Sequence, residues 1–194
     1  MTAQGTIATG IGDADINLHK SGNNQFEGKI TTEQFNLNQL TGNDSFGMLV
    51  ADVSLSGQLH SGGKPDLTVN GIVSQFDYNG YPFSNIDLNG TYSSRGYNGL
   101  LQIDDPHVKA SLEGDFLLGD KGRQHQMKMA GTVDYIVPQA IGLGDQWGNA
   151  VFTGNIESDI SATNLKDAIG TLRISQFSMM EEDGFPTNFI FSLT

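Results

Sequence analysis

Residues 78–116 read YNGYPFSNIDLNGTYSSRGYNGLLQIDDPHVKASLEGDF, with apolar and polar residues alternating almost without pause. A period of two places one set of side chains on one face of a strand and the other set on the opposite face. In 83–92, Ile86, Leu88, Gly90 and Tyr92 share a face, while Asn85, Asp87, Asn89 and Thr91 share the other. In 97–104, Tyr97, Gly99, Leu101 and Ile103 fall together. In 107–116, Val108, Ala110, Leu112, Gly114 and Phe116 oppose Lys109, Ser111, Glu113 and Asp115. The joints between these runs are SSRG (93–96) and DDP (104–106), both ordinary turn chemistry.

The same pattern extends outward from this stretch. Leu49, Ala51, Val53, Leu55 and Leu59 mark a strand over 48–59, and Leu67 with Val69 mark the next. Met127, Met129, Val133, Tyr135 and Val137 mark one over 127–137, and Phe152, Ile156 and Ile160 one over 150–160. Leu172 and Ile174 continue the series. Turn signals recur at SGNN (21–24), SGGKP (61–65) and GDKG (119–122). Helical signals are confined to single turns within 35–42, 136–145 and 163–170, too short to stand alone. Strands joined by tight turns predict an antiparallel meander. Gly28, Gly57, Gly71, Gly90, Gly114, Gly131, Gly154 and Gly170 lie in or beside strands. Glycine inside a strand often marks a bend or a close approach, so their recurrence predicts a systematically bent sheet.

Composition narrows the function. Lys and Arg number 10 against 22 Asp and Glu, a net charge of −12, which disfavours nucleic acid and anionic surfaces as partners. The chain has no cysteine, so disulfides, thiol catalysis and Cys-based metal sites are excluded. No apolar run is long enough for a transmembrane helix. The opening MTAQGTIATGIGDADINL is already strand-like and reads as a slice of a longer chain.

No catalytic pattern emerges. His19, His60, His107 and His125 are far apart in sequence and lack metal-ligand spacing. The acidic turns lack the alternating ligand pattern of a calcium loop. GIGDADI and GLGDQWG precede no helix that would cradle a phosphate. Asp104/Asp105 and Glu181/Glu182 are adjacent pairs, which point to opposite faces of a strand and cannot act as acid and base on one substrate. Trp147 reads as a local anchor, and the sequons at Asn43 and Asn89 carry little information. The chain is therefore expected to be non-catalytic and to need no metal or cofactor.

DYNGYPFSNIDLNGTY followed by YNGLLQIDDPHVKASLEGDF resembles the TamB-like (translocation and assembly module) proteins of the Bacteroidota type. The resemblance rests on Tyr78, Gly80, Tyr81, Asn85, Ile86, Leu88, Gly90, Gly99, Leu101, Ile103, Asp104, Leu112 and Gly114. FNLNQLTGNDSFGMLVADVSLSG (35–57) and ATNLKDAIGTLRISQFSM (162–179) are similar to flanking units, so the likeness covers most of 30–180. His107 stands where asparagine is expected and Phe83 where tyrosine is.

The resemblance implies an all-β, elongated, antiparallel sheet curled into a U (a β-taco), with an apolar inner groove, minimal short helices and 1–194 forming one segment. It implies membership of the AsmA-like bridge-type lipid transfer proteins. Those lie in the periplasm, are anchored in the inner membrane, and carry phospholipid toward the outer membrane or assist outer-membrane biogenesis. A BamA/TamA-type outer-membrane barrel is the implied partner of other parts of the parent chain. The expected groove is lined by Leu49, Val53, Leu55, Leu67, Val69, Ile86, Leu88, Leu101, Ile103, Val108, Ala110, Leu112, Phe116, Met127, Met129, Val133, Ile156, Ile160, Leu172 and Ile174. Each buried methylene of an acyl chain would contribute about 0.8 kcal/mol. The apolar end runs GTIATGI (5–11) and NFIFSL (188–193) predict end-to-end self-association through edge strands. The rival readings are a carbohydrate-binding or adhesin-like β-module, which calls for aromatics clustered on an exposed face, and a β-solenoid spacer.

Overall fold

A computed structural model describes residues 2–9, 11–20, 24–59, 65–93, 96–117, 125–143, 145–162, 169–180, 186–188 and 191–193. The protein is all-β and antiparallel, and its strands are hydrogen-bonded in sequence order within each of two units, Met1–Ser94 and Arg95–Thr194. The first unit holds β1 (Thr2–Thr9), β2 (Gly12–Lys20), β3 (Gln25–Asn36), β4 (Phe46–Leu59), β5 (Pro65–Tyr78) and β6 (Tyr81–Ser93). The second holds β7 (Gly96–Asp105), β8 (Val108–Leu117), β9 (His125–Ile136), β10 (Val151–Ala162) and β11 (Ile169–Met180). Two short strands, β12 (Pro186–Asn188) and β13 (Phe191–Leu193), both pair with β11.

Helix is minimal among the described residues. The turn expected within 35–42 is α1 (Leu37–Thr41), opened by the Asn36 side chain accepting from the Gln39 N–H at 3.1 Å and closed by Gly42 at φ 69°. Within the expected 136–145 segment, residues 138–143 form turns, and a 3₁₀ turn stands at Asp145–Trp147. Residues 163–168, the turns at 21–23, 61–64 and 119–122, and His60, Glu181 and Glu182 lie outside the described residues.

Two hairpins show how local sequence fixes register. Asn79 and Gly80 have φ of 49° and 83°, the left-handed pair of a two-residue hairpin, and set Tyr78 opposite Tyr81. Pro106 and His107 turn β7 into β8 with Asp105 opposite Val108. There the Asp105 carboxylate accepts from the His107 N–H at 2.9 Å, and its carbonyl accepts from the Tyr135 hydroxyl at 2.7 Å. Asp105 is the largest fully buried side chain among the described residues. Asp105→Ala is expected to cost about 1–3 kcal/mol in urea unfolding, because the His107 amide is left without its acceptor. An unchanged midpoint would mean that this turn does not depend on the carboxylate.

Cross-strand register aligns the apolar residues into rows. In the first unit one row runs Ala14, Thr32, Ala51, Val73, Ile86. The next runs Ile16, Ile30, Val53, Gly71, Leu88, and the next Leu18, Gly28, Leu55, Val69, Gly90. In the second unit, Leu101, Leu112, Gly131, Ile156 and Ile174 form one row, and Gly99, Gly114, Met129, Ser158 and Leu172 another.

Of the glycines in the sequence pattern, Gly154 lies at a register shift and most of the others do not. Gly28, Gly57, Gly71, Gly114 and Gly131 sit in regular register, whereas Gly47 and Gly154 lie within register shifts. The other shifts fall at Glu33/Gln34 in β3, Ser74 in β5, Asp134 in β9 and Gln176 in β11. Gln34, Asn85 and Gln176 have φ near 50°, rare for residues with a side chain inside a strand. Each shift advances the alternation by one residue, so Thr32 is followed on its face by Phe35, Val73 by Phe76, and Ile174 by Phe177. In β9 it makes Ile136 the residue opposite both Val108 and Phe152, which corrects the expectation that Tyr135 and Val137 continue that face.

The left-handed conformation reverses the usual effect of glycine. Gln34→Gly is expected to stabilise by about 0.5 kcal/mol, whereas Gln126→Gly in regular β9 costs about 1 kcal/mol. Urea midpoints moving in the same direction for both would contradict the bulge at Gln34.

Candidate functional site

The chain exposes far more surface than a packed protein of its size. Its accessible area is 12589 Å², against about 9,000 Å² for one compact body of 20.9 kDa and about 10,800 Å² for two separate compact bodies of half that mass. β9 alternates strictly between half-buried and exposed from His125 to Asp134, so its apolar side is only half covered.

Register places the expected groove residues on this face. In the first unit Leu49, Val53, Leu55, Leu67, Val69, Ile86 and Leu88 share the side of Ala51 and Val73. In the second unit Leu101, Ile103, Val108, Ala110, Leu112, Phe116, Met127, Met129, Val133, Ile156, Ile160, Leu172 and Ile174 share one side. Ile86, Val108 and Ala110 are buried, Phe116 is exposed, and the remainder are half-buried. The expected set omits Ile16, Leu18, Ile30 and Val73, which occupy the same rows; the alternation in DADINLHK and FEGKITTE signals the first three.

Aromatic residues gather more than the sequence suggests. Phe46, Phe76 and Tyr78 lie with ring centres 5.8–6.2 Å apart, and Tyr81 meets Phe83 edge-on at 4.7 Å. In the second unit Phe152 contacts Trp147 at 5.2 Å and Phe177 at 5.5 Å. These clusters continue the apolar face beyond the register shifts.

The opposite face is polar and laced with cross-strand ion pairs: Lys29–Asp52 at 2.7 Å, Lys109–Asp104 at 3.1 Å and Arg173–Glu157 at 3.3 Å. The hydrogen bond and charge of Asp104 hold the Lys109 ammonium above its usual range. Burial raises the Tyr97 phenol above its usual value, and its hydroxyl donates to the Leu100 carbonyl at 3.3 Å.

A shallow hollow of about 490 Å³ also lies over β8–β11. Its lining spans three adjacent rows: Glu113, Ala130, Glu157, Arg173; then Gly114, Met129, Ser158, Leu172; then Asp115, Lys128, Asp159, Thr171. The apolar rows on either side of these three are absent from it, so the hollow is a trough on the polar face between two rows of charged side chains. It is separate from the expected apolar groove. Among the described residues no group of three or more His, Asp or Glu is placed to hold a metal.

Comparison with family models, curated proteins and solved structures finds no match to this chain.

Proposed function

We propose that the apolar sheet face receives the acyl chains of phospholipid, and that the chain is a non-catalytic segment of a TamB-like, AsmA-like bridge protein working in the periplasm between inner and outer membranes. The observation that carries this reading is the half-covered apolar face of each unit. A face of that kind, left open to water, is costly, and covering it with hydrocarbon recovers about 25 cal/mol per Å² of apolar area. The rows run across the strands and repeat at each one, so successive positions present similar surfaces to a sliding chain.

The aromatic clusters favour a second reading, a carbohydrate-binding β-module, since ring faces bind sugars. Tyr78 and Trp147 remain 40% and 43% exposed.

Native mass spectrometry of the protein recovered from membrane extracts separates the two. Phospholipid adducts released by organic solvent are expected. Lipid-free protein that instead retains oligosaccharide would replace the first reading by the second.

A further inference from the structure

The apolar face of the first unit is not uniform, and burial shows where it divides. Ala14, Thr32, Ala51, Val73 and Ile86 form one complete row across β2–β6, and all five are only 5–7% exposed. They include every buried apolar residue among those described in this unit. The rows farther along the strands, through Val53 and Leu88 and through Leu55 and Val69, are half-buried throughout their described length.

The buried row runs beside the line of backbone irregularities. Gly12 in β2, Gln34 in β3, Ser74 in β5 and Asn85 in β6 lie along one line across the sheet, flanking the regular Val50 of β4, with φ of 122° at Gly12, 50° at Gln34 and 51° at Asn85. Extra residues in a strand bend it and increase its twist. Aligned over neighbouring strands, they crease the sheet. In a flat single layer every row would be equally exposed. The burial of this row alone sets the direction of the bend, toward the apolar face. Beyond the crease stand Phe35, Leu49, Phe76 and Phe83, opposite one another in register. The one hydroxyl in the row is satisfied within the bulge, since Thr32 Oγ1 accepts from the Ala51 N–H at 3.0 Å and donates to the Leu49 carbonyl at 3.3 Å.

We infer that the crease row is a sealed seam, and that an acyl chain lies instead along the two rows farther out, Ile16–Ile30–Val53–Gly71–Leu88 and Leu18–Gly28–Leu55–Val69–Gly90. This rests on the lipid reading above and places the chain within it. The two outer rows contain Gly71, Gly28 and Gly90, whereas the seam contains no glycine. At Gly28 and Gly71 the neighbouring strand's backbone fills the place a side chain would take, so the two outer rows pack closely in the sheet while their side chains stay half-buried. Same-face rows are roughly 6.8 Å apart, so the two half-buried rows together present an apolar strip along which an extended acyl chain can lie. Neither outer row holds an ionisable group, while Asp13, Asp15, Asp52 and Asp87 lie on the opposite face, so the occupant there is uncharged along its length.

Val69 and Val73 make the test internal, because they are the same residue type on the same face of β5. The unmodified protein, labelled with ¹³C at valine and leucine methyls and saturated with dihexanoyl phosphatidylcholine below its micelle threshold, is examined for nuclear Overhauser effects to acyl protons. Effects at Val69, Leu55 and Leu88 at least tenfold stronger than at Val73 are expected. Equal effects at Val73 and Val69 would overturn the seam while leaving lipid binding in place. No effect at any methyl of the folded protein would overturn the lipid reading, and this inference with it.

Discussion

Gly131→Val is expected to destabilise the second unit by about 3 kcal/mol, among the larger effects of any single substitution in the chain. A β-carbon at Gly131 would strike the Ser111 carbonyl oxygen and lie 2.9 Å from the Leu112 Cα. Both obstacles are backbone, so no side-chain rotation relieves them. β9 would have to move away from β8, and the hydrogen bonds around the Leu112–Gly131 pair would lengthen. Ala130→Val, one residue earlier on the polar face, introduces the same side chain where it is exposed, and is expected to be neutral or slightly stabilising. Urea unfolding of the two variants decides the point. Similar midpoints would contradict the close passage of β8 over β9.

The second large effect concerns the guest rather than the fold. Leu112→Arg is expected to lower phospholipid occupancy at least tenfold. Leu112 stands between Leu101 and Gly131 in its row, so a guanidinium there interrupts the apolar path, and an unpaired charge is expensive to cover with hydrocarbon. Because Leu112 is only half-buried, the long arginine can carry its charge to water and spare the fold. Ser111→Arg, on the opposite face, is expected to leave occupancy unchanged. Equal losses in both variants, with unfolding midpoints preserved, would show that charge alone and not the apolar row governs binding.

Alternation made most of the strands legible in the sequence, because a half-covered sheet repeats its burial pattern every second residue. The creases were harder to see, because they interrupt that period. Their trace is a change of phase: Thr32-Glu33-Gln34-Phe35, Val73-Ser74-Gln75-Phe76 and Ile174-Ser175-Gln176-Phe177 share a spacing in which the next residue on the apolar face comes three positions later rather than two. Read as strict alternation, β9 puts Tyr135 on the wrong face; read with a slip at Asp134, it puts Ile136 opposite Val108. The glycines misled for a related reason. Most of them accommodate a neighbouring backbone in regular register, and the bends are carried by Gln34, Asn85 and Gln176, residues with no strong left-handed signature except asparagine. Of the candidate site, the face assignment was legible. The gathering of Phe46, Phe76 and Tyr78 was not, because it depends on the register of β4 and β5 at the open end of their hairpin, beyond two register shifts.

Photo-crosslinking reads out whether phospholipid occupies the apolar face. A photoreactive side chain is placed at Leu112 on the apolar face, or at Ser111 on the polar face, in protein exposed to phospholipid, and the adducts are identified after lipid extraction. Abundant phospholipid adducts at Leu112 and few at Ser111 are the expected result. Equal adducts at the two positions, or none at either in folded protein with lipid present, would contradict it and leave the apolar face as something other than a path for lipid.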